Sequence, residues 1–458
     1  MSAGRVDSLR RIVPLAWPVL VGQLSVVAFA TIDTFLVARY SADDLAALAV
    51  GSAAYITIFI GLMGVVLAVG PIAGQLFGAK KLEDAGEQLH QAVWLALCLA
   101  VLGCTLLSFP WPFIALSQAS PEVEEKVRGY LGVLAFSVPA SLLFSAFRGF
   151  NTAVSRPKAV MALNLGALAI KLPLSALLLN GWAAIGLPAF GVQGCAMATA
   201  VAMWLQLGAA LYLIRTDPFY APFGVQHGGL HAPDWRAIGH QLRLGVPMGL
   251  GILIEVSAFS MMAIFISRLG TTQVAGHQIA INLVSMMFML PMALANASST
   301  LVAQSVGARD NATARRIGWH GVQIGLAVAT VMGALVFLAR VPIIALYTSD
   351  MAVQAAALPL LAWMTLFHVA DAGQVMTSFT LRAWRVATMP MFIFAGSLWG
   401  VGLGGGYVLA FDVLGGTPLA LRGAPGYWVA STAGLVIAAL ALGLCLAWVL
   451  RHKRAGVD

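Results

Sequence analysis

Apolar runs of about 20 residues recur from one end of the chain to the other, interrupted by short clusters of Pro, Gly and charge. Each run is long enough to cross the roughly 30 Å hydrocarbon core of a bilayer as a helix. With the interruptions read as boundaries, the pattern predicts spans over 12–38, 46–77, 90–109, 121–150, 158–180 and 188–214. A second set follows over 240–268, 276–304, 317–340, 351–381, 387–412 and 427–450. Lipid offers the backbone no hydrogen-bond partner, so only helices or closed barrels cross it, and continuous rather than alternating apolar runs select helices. The expected fold is an all-α integral membrane protein with twelve transmembrane helices.

The second set of spans repeats the first. Sliding it by 229 residues lays Pro247 over Pro18, and AQSVGAR (Ala303 to Arg309) over GQLFGAK (Gly74 to Lys80). With a small gap, LRAWRVATMP around Arg382 also lies over FRGFNTAVSRP around Arg148. Ordered matches of this kind mark a duplication. They predict two pseudo-symmetric six-helix bundles: an N-terminal lobe over 1–214, a cytoplasmic linker over 215–239 and a C-terminal lobe over 240–458. Six is an even number, so each half leaves on the side it entered, and the expected symmetry axis runs along the membrane normal with a cleft between the lobes.

Composition agrees with a lipid environment, with 60% hydrophobic and 10% charged residues against about 25% charged in soluble domains. The formal net charge of +8 raises the question of nucleic acid, and the positions answer it. Arg10, Arg11, Lys80, Lys81, Arg156, Lys158, Arg309, Arg315, Arg316 and Arg451 fall at one set of helix ends, and the sparser Arg39, Lys126, Arg128, Arg268, Arg340 and Arg422 at the other. The positive-inside rule then places both termini in the cytoplasm and makes the basic charge a matter of topology, with lipid and not nucleic acid as the partner. The four cysteines lie in apolar runs without the paired spacing of a zinc site and read as packing residues.

Most of the acids lie in loops or at helix ends, but Asp33, Glu255 and Asp371 fall inside apolar spans. A charge at the bilayer centre costs about 2.5–3.5 kcal/mol or more, so such residues face a cavity or a partner and are functional candidates. They also break the repeat, since Met262 lies over Asp33 and Val26 under Glu255. The halves are therefore chemically unequal. Glu255 and Asp371 can converge if the seventh and tenth helices pack together, giving a negative site where a cationic cargo and a proton or sodium ion exchange.

The phrases that carry these residues resemble the multidrug and toxic compound extrusion (MATE) family, in its NorM-like branch. They are PVLVGQLSVVAFATIDTFLVAR with Asp33, LIEVSAF with Glu255, GHQIAINLVSMMFMLPMALANA with His277, Gln278 and Asn282, and HVADAGQV with Asp371. RGFNTAVSRP, LRAWRVATMP and GVQGCAMATA add to the likeness, which covers almost the whole chain. The resemblance implies a secondary antiporter of the bacterial inner membrane, not an enzyme, working as a monomer without a cofactor. It would export small amphipathic, often cationic organic compounds in exchange for H+ or Na+ by alternating access.

The resemblance further implies that Asp33 belongs to an N-lobe cation and substrate site, and that Glu255 and Asp371 form a C-lobe cation site able to hold Na+. By the same likeness Gln278 and Asp350 line an outward-facing substrate cavity. Asn282 and Met287 join them as candidate substrate contacts, Met because its side chain adapts to varied shapes. One departure stands out. Where the family usually has asparagine, the fifth span carries Lys171, followed by Ser175. Lys171 either pairs with Asp33 as a built-in cation or snorkels along a cavity wall. The rival function is a lipid-linked precursor flippase of a related superfamily; a membrane-embedded enzyme would need a metal-ligand cluster or paired Asp motif that the sequence lacks.

Overall fold

The computed structural model describes residues 3–111, 120–182, 186–226 and 229–452. His227 of the linker and residues 453–458 of the expected C-terminal lobe lie outside the described residues. Among the described residues, eleven helices are long and apolar enough to cross a membrane singly, and one bent pair makes a twelfth. In chain order they are α1 (Gly4–Tyr40), α2 (Ala42–Gly78), α3 (Leu82–Ser108), α4 (Pro121–Ala135 with Val138–Ala153), α5 (Pro157–Asn180) and α6 (Val192–Thr216). The second set is α7 (Trp235–Ser267), α8 (Thr271–Gly307), α9 (Asn311–Leu338), α10 (Met351–Ala383), α11 (Thr388–Ala410) and α12 (Ala424–His452). Each overlies one predicted span.

Three spans depart from plain helix, α2 by a turn at Leu67 and Ala68. The run 121–150, expected to be continuous, bends by 46° between its two parts, because Pro139 has no N–H to give the preceding turn. The carbonyls released there are taken by side chains. Cys104 Sγ donates to Ala135 O at 3.1 Å, Trp204 Nε1 to Phe136 O at 2.9 Å, and Ser137 Oγ to Leu134 O at 2.7 Å. Cys104 is thus more than packing. In α11, Ala395–Gly404 is a π-helix, a rare form that favours functional places. Glycines on both α11 and α12 permit their close packing: a Cβ on Gly434 of α12 would stand 2.5 Å from Ser397 O, and one on Gly406 of α11 would stand 2.4 Å from Tyr427 Cδ1.

The duplication is written into the backbone. Lys80 and Arg309 both adopt positive φ, at 60° and 59°, a conformation that is uncommon for residues with a Cβ. The hydrogen bonds around them match one for one. Ala79 N bonds Gln75 O, Lys80 N bonds Phe77 O and Lys81 N bonds Leu76 O; Ala308 N bonds Gln304 O, Arg309 N bonds Val306 O and Asp310 N bonds Ser305 O. A second pair of turns repeats the pattern at Ser155 and Arg385, with φ of 62° and 56°.

Packing divides the chain into two units: Val21–Gly249, and Met1–Leu20 with Leu250–Asp458. Each boundary falls two residues past a proline inside a helix, Pro18 in α1 and Pro247 in α7. In the second unit α10 runs against α8, α9 and α12, and the buried Phe367, Trp428, Met364 and Leu360 stand in its core. His277 is held there, accepting at Nδ1 from Trp428 Nε1 at 3.2 Å.

In the first unit a buried aspartate joins three helices. Asp44, on the first turn of α2, pairs with Lys126 of α4 and accepts from Val192 N, the first residue of α6, at 2.8 Å. Gly191 makes this approach possible at φ 57°, for a Cβ there would stand 2.5 Å from Asp44 Oδ1. Further along, Gly194 of α6 lies so close to α5 that a Cβ would stand 2.5 Å from Leu178 O. The linker is clasped to this unit by Arg156 Nη1, which bonds Asp217 Oδ2 at 2.6 Å and stacks its guanidinium 4.4 Å from the Phe219 ring. The Phe219 amide and then Arg156 hold the Asp217 carboxyl below its ordinary value.

Two outcomes follow. Gly194→Val forces α6 away from α5 and is expected to cost about 1–3 kcal/mol, read as an earlier loss of the monodisperse peak on heating; an unchanged profile would refute the close approach. Asp217→Asn is expected to lower stability at neutral pH. Because the folded carboxyl titrates lower than the unfolded one, its contribution is present above an ordinary aspartate pKa of about 3.9 and is lost as pH falls further, so the variant and the parent should melt together in strong acid.

Candidate cation sites

The residues singled out by charge gather into one cluster in each unit. In the first, α1 carries Asp33, α5 carries Lys171 and Ser175, and α6 carries Cys195. Lys171 and Ser175 are four residues apart and so share a helix face. Lys171 Nζ lies 2.6 Å from Asp33 Oδ2 and donates also to Phe29 O at 3.2 Å. Ser175 Oγ donates to Asp33 Oδ1 at 3.3 Å, and the Cys195 thiol lies within electrostatic reach of the same carboxylate. The lysine and aspartate side chains are only 1% and 9% exposed. The pair is therefore internally neutral, with the ammonium at the carboxylate rather than extended toward water.

In the second unit, α7 presents Glu255 and α10 presents Asp371, with Gln374 between them. Gln374 Nε2 donates to Glu255 Oε1 at 2.8 Å and to Asp371 Oδ1 at 3.0 Å. Asp371 is buried and Glu255 half-buried. These carboxylates meet a neutral amide where Asp33 meets an ammonium. Two negative charges beside one amide leave a deficit that a proton or a small hard cation would fill, and carboxylate and amide oxygens suit both. The α7 turn is steadied from the π-helix of α11, where Trp399 Nε1 donates to Ile254 O at 3.1 Å and to Ser257 Oγ at 3.3 Å.

Gln374 and Cys195 were not singled out as site residues from sequence. The signal for Gln374 was its place three residues after Asp371, which puts both on one helix face. Cys195 gave none, since a cysteine in an apolar run reads as packing.

The remaining candidates scatter. Gln278 and Asn282 are exposed on one face of α8, one turn apart. Asp350 is exposed and caps α10, its Oδ1 accepting from Ala352 N at 2.8 Å. Met287 stands apart from them, 4% exposed in the core of its unit.

Comparison with known proteins gives this arrangement a family. The MatE family profile matches the chain twice, over residues 18–177 and 247–408. The chain belongs to the MatE family. The two matches begin 229 residues apart, the offset found from the repeat. A probable multidrug resistance protein NorM of Aromatoleum aromaticum is 38% identical over 439 residues, 96% of this chain and 94% of the relative. The multidrug resistance protein MdtK of Yersinia pseudotuberculosis is 31% identical over 97% of this chain and 96% of its own. NorM-like character is thus shown along nearly the full length. In fold, the eukaryotic MATE transporter AtDTX14 superposes with a TM-score of 0.86 at 18% identity, covering 97% of this chain and 96% of that one. The Vibrio cholerae MATE transporter VcmN in its bent form gives 0.85 at 16% identity, covering 98% of both.

The amide bridge generates a test that needs no substrate. Gln374→Leu leaves two carboxylates without their shared donor, and is expected to cost about 1–3 kcal/mol of thermal stability. Asp371→Asn should recover part of that loss in the double variant, a coupling of about 0.5–3 kcal/mol. Strictly additive melting shifts would show that Gln374 does not serve the pair.

Proposed function

We propose that this protein exports small amphipathic organic cations across the bacterial inner membrane, driven by inward H+ or Na+ at the Glu255–Asp371 pair. The observation that carries the reading is the single amide shared by two acids on α7 and α10. The names of the NorM and MdtK relatives, multidrug resistance proteins, support drugs and dyes as the cargo class. The abundance of basic residues at one set of helix ends supports cytoplasmic termini.

The pair can bind and release its driving ion because, among the described residues, no fixed cation stands at ion-pair distance from either carboxyl, Arg382 acting on Glu255 only from farther off. A proton on either carboxyl, or a sodium ion between the two, lowers the cost of burying both. Turning the Gln374 amide over presents its oxygen in place of its N–H, so one residue serves either occupant. Movement of one charge down a 100 mV potential supplies about 2.3 kcal/mol, roughly a 50-fold concentration gradient of a neutral solute. The prolines within α1 and α7 interrupt the helical ladder and supply places for these helices to bend as access alternates. Gln278 and Asn282 put polar groups on an exposed face of an apolar span, where water and cargo suit them better than acyl chains; Asp350 adds a negative charge at the end of α10. An anionic lipid-linked cargo would instead meet unmatched carboxylates, which disfavours the flippase reading.

Expression in a pump-deficient bacterium is expected to raise tolerance to ethidium or a fluoroquinolone. Glu255→Gln and Asp371→Asn should each remove most of that tolerance while the protein remains in the membrane at normal abundance. Dye efflux from proteoliposomes under separate sodium and proton gradients identifies the ion. Full efflux in both variants would overturn the assignment of the pair.

A further inference from the structure

The Asp33 cluster contains a group that the export cycle above leaves unused, a lysine lying where a cationic cargo would bind. The Lys171 ammonium has three N–H donors. It reaches Asp33 Oδ2 at 2.6 Å and Phe29 O at 3.2 Å, and lies 5.1 Å from the centre of the Phe29 ring. A carboxylate, a backbone carbonyl and an aromatic face are the features that hold an organic cation. Resting on the export reading, we propose that Lys171 is the resident occupant of the N-terminal organic-cation site and its proton carrier: cargo takes the place beside Asp33 as Lys171 yields one proton and withdraws as a neutral amine.

Charge conservation in a buried place carries the step. At rest, one carboxylate and one ammonium sum to zero. Were cargo to enter with the ammonium still charged, the cluster would hold an unmatched positive charge cut off from water, which is strongly unfavourable. Were Asp33 to take up a proton instead, the cargo would lose its anchor. Breaking one N–H bond of the ammonium sends the proton to water, leaves the electron pair on Nζ, and restores zero with cargo in place; nothing is oxidised or reduced. The groups facing Lys171 agree with this division. Asp33 and Phe29 come from α1 and Ser175 from its own helix. Cys195 of α6 and Tyr130 of α4 lie within electrostatic reach of the same acid. Lysine is suited to the role, since its amine can lose a proton when desolvated whereas a guanidinium cannot. The N-terminal half would then exchange one proton for one cation, independently of whatever ion the Glu255–Asp371 pair carries.

The test uses purified full-length protein in detergent, in weakly buffered solution with a pH indicator, and tetraphenylphosphonium as the probe. A Glu255→Gln, Asp371→Asn background removes the other titrating cluster. About one proton should appear per tetraphenylphosphonium bound, with affinity rising about tenfold per pH unit while the lysine is charged. Lys171→Arg keeps the resting cluster neutral with a cation that cannot deprotonate, and should bind at least tenfold more weakly and without proton release. Binding to the Lys171 protein without proton release, or release from Lys171→Arg equal to the parent's, overturns the proposal. Dye efflux by the otherwise unmodified protein in cells separates the two readings: efflux with no release overturns the lysine assignment alone, whereas no efflux overturns the export reading and this inference with it.

Discussion

The governing constraint is that a charge held away from water must be matched by something. The two units meet it differently. Asp33 is matched by a covalently tethered ammonium at 2.6 Å, whereas Glu255 and Asp371 share only the neutral amide of Gln374. A fixed partner gives a cluster that is self-contained at rest. A neutral amide leaves the two acids without a partner of opposite sign at ion-pair distance among the described residues. One half of a duplicated scaffold is thus neutral in itself, and the other holds acids beside an uncharged donor.

The scaffold itself has diverged much less. The turns at Lys80 and Arg309 keep the same left-handed residue and the same three backbone hydrogen bonds, and one family profile fits both halves. Turns are constrained by backbone geometry, so side chains around them can change while the path of the chain is kept. The membrane interior imposes no such bond-by-bond rule on side chains. Met262 can stand where Asp33 stands in the other half, and Val26 where Glu255 stands, provided that each acid finds its own company.

Much of this was legible in the sequence because lipid makes it so. Span lengths are dictated by bilayer thickness, and all twelve appear as apolar runs. An acid inside such a run is conspicuous for its cost, which is why Asp33, Glu255 and Asp371 stand out in the sequence. Their neutral partners were not conspicuous. Serine, glutamine and cysteine are inexpensive in a helix, and whether Gln374 or Cys195 touches a carboxylate depends on the rotational phase at which helices pack. The bend in α4 is not legible, since the run 121–150 reads as one continuous span across Pro139, and the donors that engage the carbonyls around it come from α3 and α6, far away in sequence. Met287 shows the converse, since a methionine suited to contact cargo reads the same as one that fills a core.

That bend also shows that an interrupted helix need not be a hinge. A helix interrupted by proline can flex when its released carbonyls are free to change partners. Here the carbonyls of Leu134, Ala135 and Phe136 are each already engaged, by a serine, a cysteine and a tryptophan. Straightening the helix would strand those donors, and bending it further would pull them out of reach. The angle behaves as a welded elbow, and the two segments it joins are held as one piece.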